Sequence, residues 1–181
     1  MKLISKFLLI AFLASALVSC SDDDDVVQTP QAEPNIAEIV SENSEYSSLL
    51  AALEATNLTA DFTTDTELTV FAPDNAAFNA FLQVNNFSNL EDVPTDLLRE
   101  VLLNHVVAGT NLAADLSTGY INSFATGASS EEPLSLFINT TDGVEINGTS
   151  TVTQANIEAS NGVIHAVDAV IGLPDITTQS L

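Results

Sequence analysis

The spacing of apolar residues changes character at His105, and that change limits the folds open to the chain. Before it, Ile36, Ile39 and Val40, then Tyr46, Leu49, Leu50 and Leu53, recur at the three- and four-residue intervals of amphipathic helices. Ser44 is placed as an N-cap and Asn57 as a stop. Residues 68–72 form a β-rich run closed by Pro73. Asp74 can cap a third helix with Phe78, Phe81 and Leu82 on one face. Pro94 and Thr95 open a fourth, which buries Leu98, Val101 and Leu102 and leaves Arg99 outside. After His105, short β-like runs take over, at 105–108, 120–124, 134–138, 144–146, 149–157, 163–167 and 169–171. Thr140 to Gly143 and Asn147-Gly148 supply turn residues between them. Helices first and strands later predict an α+β domain with a mostly antiparallel sheet. No internal repeat is visible, so one domain is expected over residues 36–174, with a tail at 175–181.

The N-terminal residues read as an address. Lys2 and Lys6 precede an apolar run over 7–18, broken only by Ser15, and Leu17-Val18-Ser19-Cys20 closes it. A basic start, a short apolar stretch and a small-residue exit predict a secretory signal peptide over 1–19. The closing four residues resemble the lipobox of bacterial lipoproteins, which implies lipidation of Cys20 and a bilayer anchor outside the cytoplasm. Cys20 is the one cysteine in the chain, so an intrachain disulfide and a multi-cysteine metal site are excluded. Residues 20–35 carry four consecutive aspartates and two prolines, which predicts an acidic, extended tether.

Charge narrows the partners. The chain has 3 Lys+Arg against 25 Asp+Glu, a net charge of −22. Removing residues 1–19 leaves Arg99 alone, so the charge becomes 1 − 25 = −24. Phosphate recognition needs Lys and Arg to displace counterions, so nucleic acid is excluded as a partner, as is a polybasic membrane patch. Weak association with divalent cations is the expectation for so many carboxylates. Only 15% of residues are charged, so Ser, Thr, Asn and Gln must supply much of the polar surface.

Two segments stand out once the elements are placed. One is Leu68-Thr69-Val70-Phe71-Ala72-Pro73-Asp74-Asn75-Ala76-Ala77-Phe78. The other runs from Ser160-Asn161-Gly162-Val163-Ile164-His165-Ala166-Val167-Asp168 to Gly172-Leu173-Pro174. In the first, proline ends a strand by removing a ladder donor, and Phe78 packs beneath it. In the second, Asn161-Gly162 predicts a tight turn, after which Ile164 and Ala166 share one face and Val163, His165 and Val167 the other. The two segments, with Asn104-His105 between them, resemble the signature boxes of the fasciclin domain. The resemblance implies a wedge of β-sheet covered by several helices, and a role in adhesion to matrix proteins, polysaccharide or cells. Phe71, Pro73, Asp74, Phe78, His105, Asn161, Gly162, Ile164, His165 and Asp168 are then its structural positions. It also implies a candidate binding region. Asn104-His105 stands where the family has a Tyr-His pair, and Asn156-Ile157 where it has an Asp-Ile pair. Both replacements depart from the pattern that animal fasciclin domains use toward integrins.

The residues nominate no catalytic group. His165 and Asp168 lie three apart in a strand region, which sends their side chains to opposite faces. Neither a Gly-x-Ser-x-Gly elbow nor a His-Glu-x-x-His motif occurs. No cofactor or metal ligand set is expected. An envelope hydrolase of polysaccharide or ester, and a spacer without a ligand, are the competing functions.

So acidic a surface repels itself, and salt screens that repulsion as the Debye length falls from ~30 Å at 0.01 M to ~8 Å at 0.15 M. The melting temperature should rise gradually with sodium chloride and respond alike, without saturation, to magnesium and calcium. A melting temperature flat across salt, or one saturating at low calcium only, would contradict diffuse screening.

Overall fold

A computed structural model describes residues 33–127 and 132–174. The expected signal peptide, Cys20, most of the expected tether and the 175–181 segment lie outside these residues. Four α-helices and seven strands follow in the order α1 (Ile36–Glu42), α2 (Ser47–Ala55), β1 (Leu68–Pro73), α3 (Asn75–Val84), α4 (Thr95–Leu103), β2 (Val106–Ala108), β3 (Gly119–Thr126), β4 (Pro133–Asn139), β5 (Glu145–Ile146), β6 (Ser150–Ala159) and β7 (Gly162–Val167).

The helix ends follow local chemistry. Asn35 and Glu38 exchange side-chain-to-backbone bonds of 3.0 and 2.8 Å in a capping box at the start of α1. Asp74 caps α3 by accepting from the Ala77 amide at 2.7 Å. Asn57 and Asn86 adopt positive φ, 56° and 59°, just past α2 and α3. Beyond each, an amide returns to the helix, Leu58 to Leu53 and Phe87 to Leu82, both at 2.9 Å, which satisfies a carbonyl of the last turn. Ser44 does not cap α2. Asn43 accepts from the Glu45 amide at 2.9 Å and caps the 3-10 turn Ser44–Tyr46, which runs into α2, whose own N-cap position, Tyr46, makes no side-chain cap bond.

The strands close into a barrel in sequence order, and β1 and β7 complete the ring. Every pairing is antiparallel except that of β1 with β7, which is parallel from Leu68↔Gly162 to Pro73↔Val167. The mostly antiparallel sheet under helices is therefore present, but as a closed ring where the resemblance implied a wedge. All six residues of both β1 and β7 are buried, as expected of a parallel pair covered on both faces. One face carries Leu68, Val70, Ala72, Ile164 and Ala166 against the helices. The other carries Phe71 and Val167 into the barrel with Val107, Leu136, Ile138 and Ile146.

Two expected elements differ. Residues 169–171 form no strand, because side chains bind the backbone there: the Ile171 amide donates to His105 Nε2, and Asn104 Nδ2 donates to the Ile171 carbonyl. The tight turn before β7 is Ser160-Asn161, with Ala159 paired to Gly162, so Gly162 is already in the strand. A Cβ at Gly162, where φ is +144°, would fall on the Leu68 backbone, its carbonyl oxygen above all. Asn147-Gly148 is the true turn pair, with φ of 54° and 68° at the β5–β6 hairpin.

Gly162→Ala should lower stability by about 3 kcal/mol, since neither backbone can yield without parting β1 from β7. Gly148→Ala, with open space around its Cβ, should cost only the strain of its positive φ, about 1–2 kcal/mol. Phe71→Ala and Ile164→Ala, both at fully buried positions, should each cost ~2–5 kcal/mol. Urea unfolding followed by circular dichroism gives the ranking, and equal midpoints for the two glycine variants would contradict the packing at Gly162.

Candidate functional site

The polar side chains of the two sequence boxes, and of the Asn104-His105 pair between them, form three buried joints. In the first, Asn161 Nδ2 donates to the carbonyls of Phe62, at 2.8 Å, and Thr64, at 2.9 Å. Its Oδ1 accepts from the Ile36 amide at 2.9 Å. One amide side chain thus fixes the start of α1 and the 3-10 turn Thr59–Thr63 to the start of β7. Its own carbonyl accepts from the Leu68 amide at 3.1 Å, which sets the parallel register beside Gly162.

The second joint joins α4 to the segment after β7. His105 Nδ1 lies 2.7 Å from the Val101 carbonyl, and its Nε2 accepts from the Ile171 amide at 2.8 Å. A carbonyl can only accept and an amide can only donate, so the proton is on Nδ1. Asn104 Nδ2 donates to the carbonyls of Ile171 and Gly172 at 3.3 and 3.2 Å, and Ser123 Oγ donates to Asn104 Oδ1 at 2.9 Å. Burial pushes the His105 pKa down from 6.5 to about 4, against the smaller upward pull of the Val101 bond.

The third joint carries the opposite tautomer. His165 Nε2 faces the Asn111 carbonyl at 2.9 Å and Nδ1 accepts from the Asn156 amide at 3.3 Å, so the proton is on Nε2. Burial lowers this pKa too, again against a hydrogen bond, here to Asn111. The ring stacks on Phe71 with centroids 5.7 Å apart. Asn156 sits at φ 59° where the β6–β7 register shifts, and its Oδ1 accepts from the Ala113 amide at 2.8 Å. Asp168 turns away from His165 and accepts from the Thr151 amide at 2.7 Å.

These placements decide what each expected residue can do. Phe71, Pro73, Phe78, Gly162 and Ile164 are buried in the packing, and Asp74 is a helix cap. Asn104 and His105 are also buried, so a partner cannot reach their side chains in the folded domain; they tie α4 to Ile171 instead. Asn156 is exposed and Ile157 is half-buried against the helix-side core. The four residues of the expected binding region therefore form no common surface. Sequence reasoning missed Asn111, Ser123 and Thr69. Thr69 Oγ1 accepts from both the Asn111 amide and its Nδ2, each at 2.9 Å, and Asn111 in turn receives His165. Among the described residues no three His, Cys, Asp or Glu side chains gather as metal ligands.

A closed seven-strand barrel under four helices, with its box residues turned inward to bind backbone, defines a domain whose marked side chains hold the fold. The fasciclin domain model matches residues 44–174, and the chain belongs to the fasciclin family. It is 35% identical over 158 residues to Protein sll1483 of Synechocystis sp., covering 87% of this chain and 79% of that one. A second Synechocystis protein, sll1735, is 34% identical over 138 residues, 76% of this chain and 97% of its own. The fold is similar to that of a FAS1 domain pair from the insect cell adhesion molecule fasciclin I, with TM-score 0.63 and 13% identity. That match covers 77% of this chain and 51% of the other.

The lowered pKa of His105 makes stability depend on pH. The unfolded chain takes a proton there near pH 6.5, whereas the folded chain resists it down to about 4. The His105 contribution to stability is therefore full above pH 6.5, is lost as the pH drops toward about 4, and amounts to roughly 3 kcal/mol. His105→Gln keeps a donor and an acceptor but cannot titrate, so its urea midpoint should fall less between these limits. Parallel pH profiles for the two proteins would contradict a neutral, buried His105.

Proposed function

We propose that this chain is an adhesion module displayed outside the cytoplasm on a lipid anchor, where it binds polysaccharide or matrix protein. The inward orientation of the box side chains carries the reading. His105, His165, Asn104 and Asn161 each hold backbone groups at 2.7–3.3 Å, which leaves the outer loops and sheet faces to meet a partner. The family supports it, since its fold is shared with a cell adhesion molecule. The anchor rests on Leu17-Val18-Ser19-Cys20. No helix of the described residues is long and apolar enough to cross a membrane; the assignment of attachment to acylated Cys20 rests on those four residues alone. The aspartates of 22–25 act as a solvated spacer, and divalent cations associate weakly with the acidic surface without a dedicated site.

Beads coated with the protein should bind saturably to members of an array of polysaccharides and matrix proteins. An array without saturable binding, or one in which a glycan or ester is turned over instead, would overturn the adhesion reading. Cys20→Ala should move the protein from the membrane fraction to the soluble fraction, and unchanged membrane association would overturn the anchor.

A further inference from the structure

Most large apolar side chains of the domain are covered, and the exceptions are not scattered. Among the described residues, three large hydrophobics are clearly exposed: Val84 at 80%, Tyr120 at 76% and Phe124 at 43%. Val84 ends α3. The two aromatics share the outer face of β3, where burial alternates so that Ser123 and Ala125 point inward. Tyr120 stands opposite Phe137 of β4, with ring centroids 5.2 Å apart and planes tilted by 54°. Between Tyr120 and Phe124 lies Asn122, opposite Ser135, whose Oγ is 3.2 Å from Asn122 Oδ1. Phe124 then forms the lip of a groove of about 300 Å³, floored by Phe62, Leu68, Leu103 and Val106 and rimmed by Thr64, Thr66 and the carboxylate of Asp61.

We infer that this row, Tyr120, Asn122 and Phe124 with Phe137 and Ser135 beside them, is a binding platform for a neutral polysaccharide chain. A sugar ring offers an apolar C–H face bordered by hydroxyls. The first suits the electron-rich face of an aromatic ring, and the second suits amide and hydroxyl groups that both donate and accept. Tyr120 and Phe124 are four residues apart, at most ~13 Å along a strand whose register with β4 shifts between Asn122 and Thr126. That span is longer than one sugar ring, so the two aromatics would meet non-adjacent rings of one chain.

Charge and area select this occupant. The outward side chains of the row are uncharged, whereas the protein carries a net charge of −22. Uronate or sulfated chains are repelled by that field, and a neutral chain is not. A second copy of the protein is disfavoured by area. Aromatic side chains bury 150–250 Å² each, so these rings offer at most a few hundred Å², short of the ~800 Å² per partner of a stable interface.

The inference rests on the adhesion reading and names its ligand class. The test is migration of the full chain in native gels containing hydroxyethylcellulose, xylan or laminarin, with alginate as the acidic control. At least one neutral polymer should retard the protein and alginate should not. Tyr120→Ala and Phe124→Ala should each weaken retardation about ten-fold, Tyr120→Phe should retain it, and Val84→Ala should leave it unchanged. Retardation that survives Tyr120→Ala, equal retardation by alginate, or none by any neutral polymer overturns the platform. So does a concentration-dependent dimer lost in Tyr120→Ala. The bead array, run with the same variants, separates the two failures. Array binding that persists in Tyr120→Ala removes the platform and keeps the adhesion module, whereas no binding by the unmodified chain removes both.

Discussion

The parallel contact between β1 and β7 closes the barrel, and it depends on a residue without a side chain. At Gly162 the backbone of Leu68 occupies the space of a Cβ. Strands distant in sequence can approach this closely only where one side presents a bare backbone. Asn161 then fixes the approach, because its carbonyl receives Leu68 and its side chain receives Ile36 and reaches Phe62 and Thr64. With β1 and β7 joined, one face of the pair is covered by helices and the other fills the barrel, so both strands are buried throughout. The division of the core into two clusters follows from that alternation.

A chain with 25 acids and 3 bases cannot rely on ion pairs for long-range order. Neutral amides, hydroxyls and imidazoles do that work here. Each joint satisfies backbone groups that no ladder reaches, and an unpaired group in their place would cost about 1–3 kcal/mol. Phe71 links two of the joints: its amide donates to the His105 carbonyl at 2.9 Å, and its ring carries His165. The two histidines hold opposite tautomers because one Nδ1 faces a carbonyl and the other an amide. Both are kept neutral by burial, which suits them to bind backbone groups.

Local chemistry was legible in the sequence where it is self-contained. The helix faces, the Asp74 cap, the Asn57 stop and six of the seven strand-like runs depend on neighbours within a few residues, and they occur at or near the expected positions. Contacts across long separations were not legible. Residues 169–171 read as a strand from composition, but Ile171 is taken by Asn104 and His105, more than sixty residues earlier. Asn161-Gly162 has the composition of a turn, yet its glycine answers to Leu68, a strand away. Asn104 reads from sequence as available for a partner, but Ser123 and Gly172 occupy it. The aromatic row on β3 and β4 escaped notice because Tyr120 and Phe137 become neighbours only through strand register.

The central claim is that the box histidines are fixed structural groups. Nitrogen-15 NMR of the imidazoles near pH 6.5, the ordinary histidine pKa, tests it most directly. The account predicts two neutral rings in slow exchange with solvent, His105 protonated at Nδ1 and His165 at Nε2. Averaged tautomers, or rings half-protonated at that pH, would contradict it.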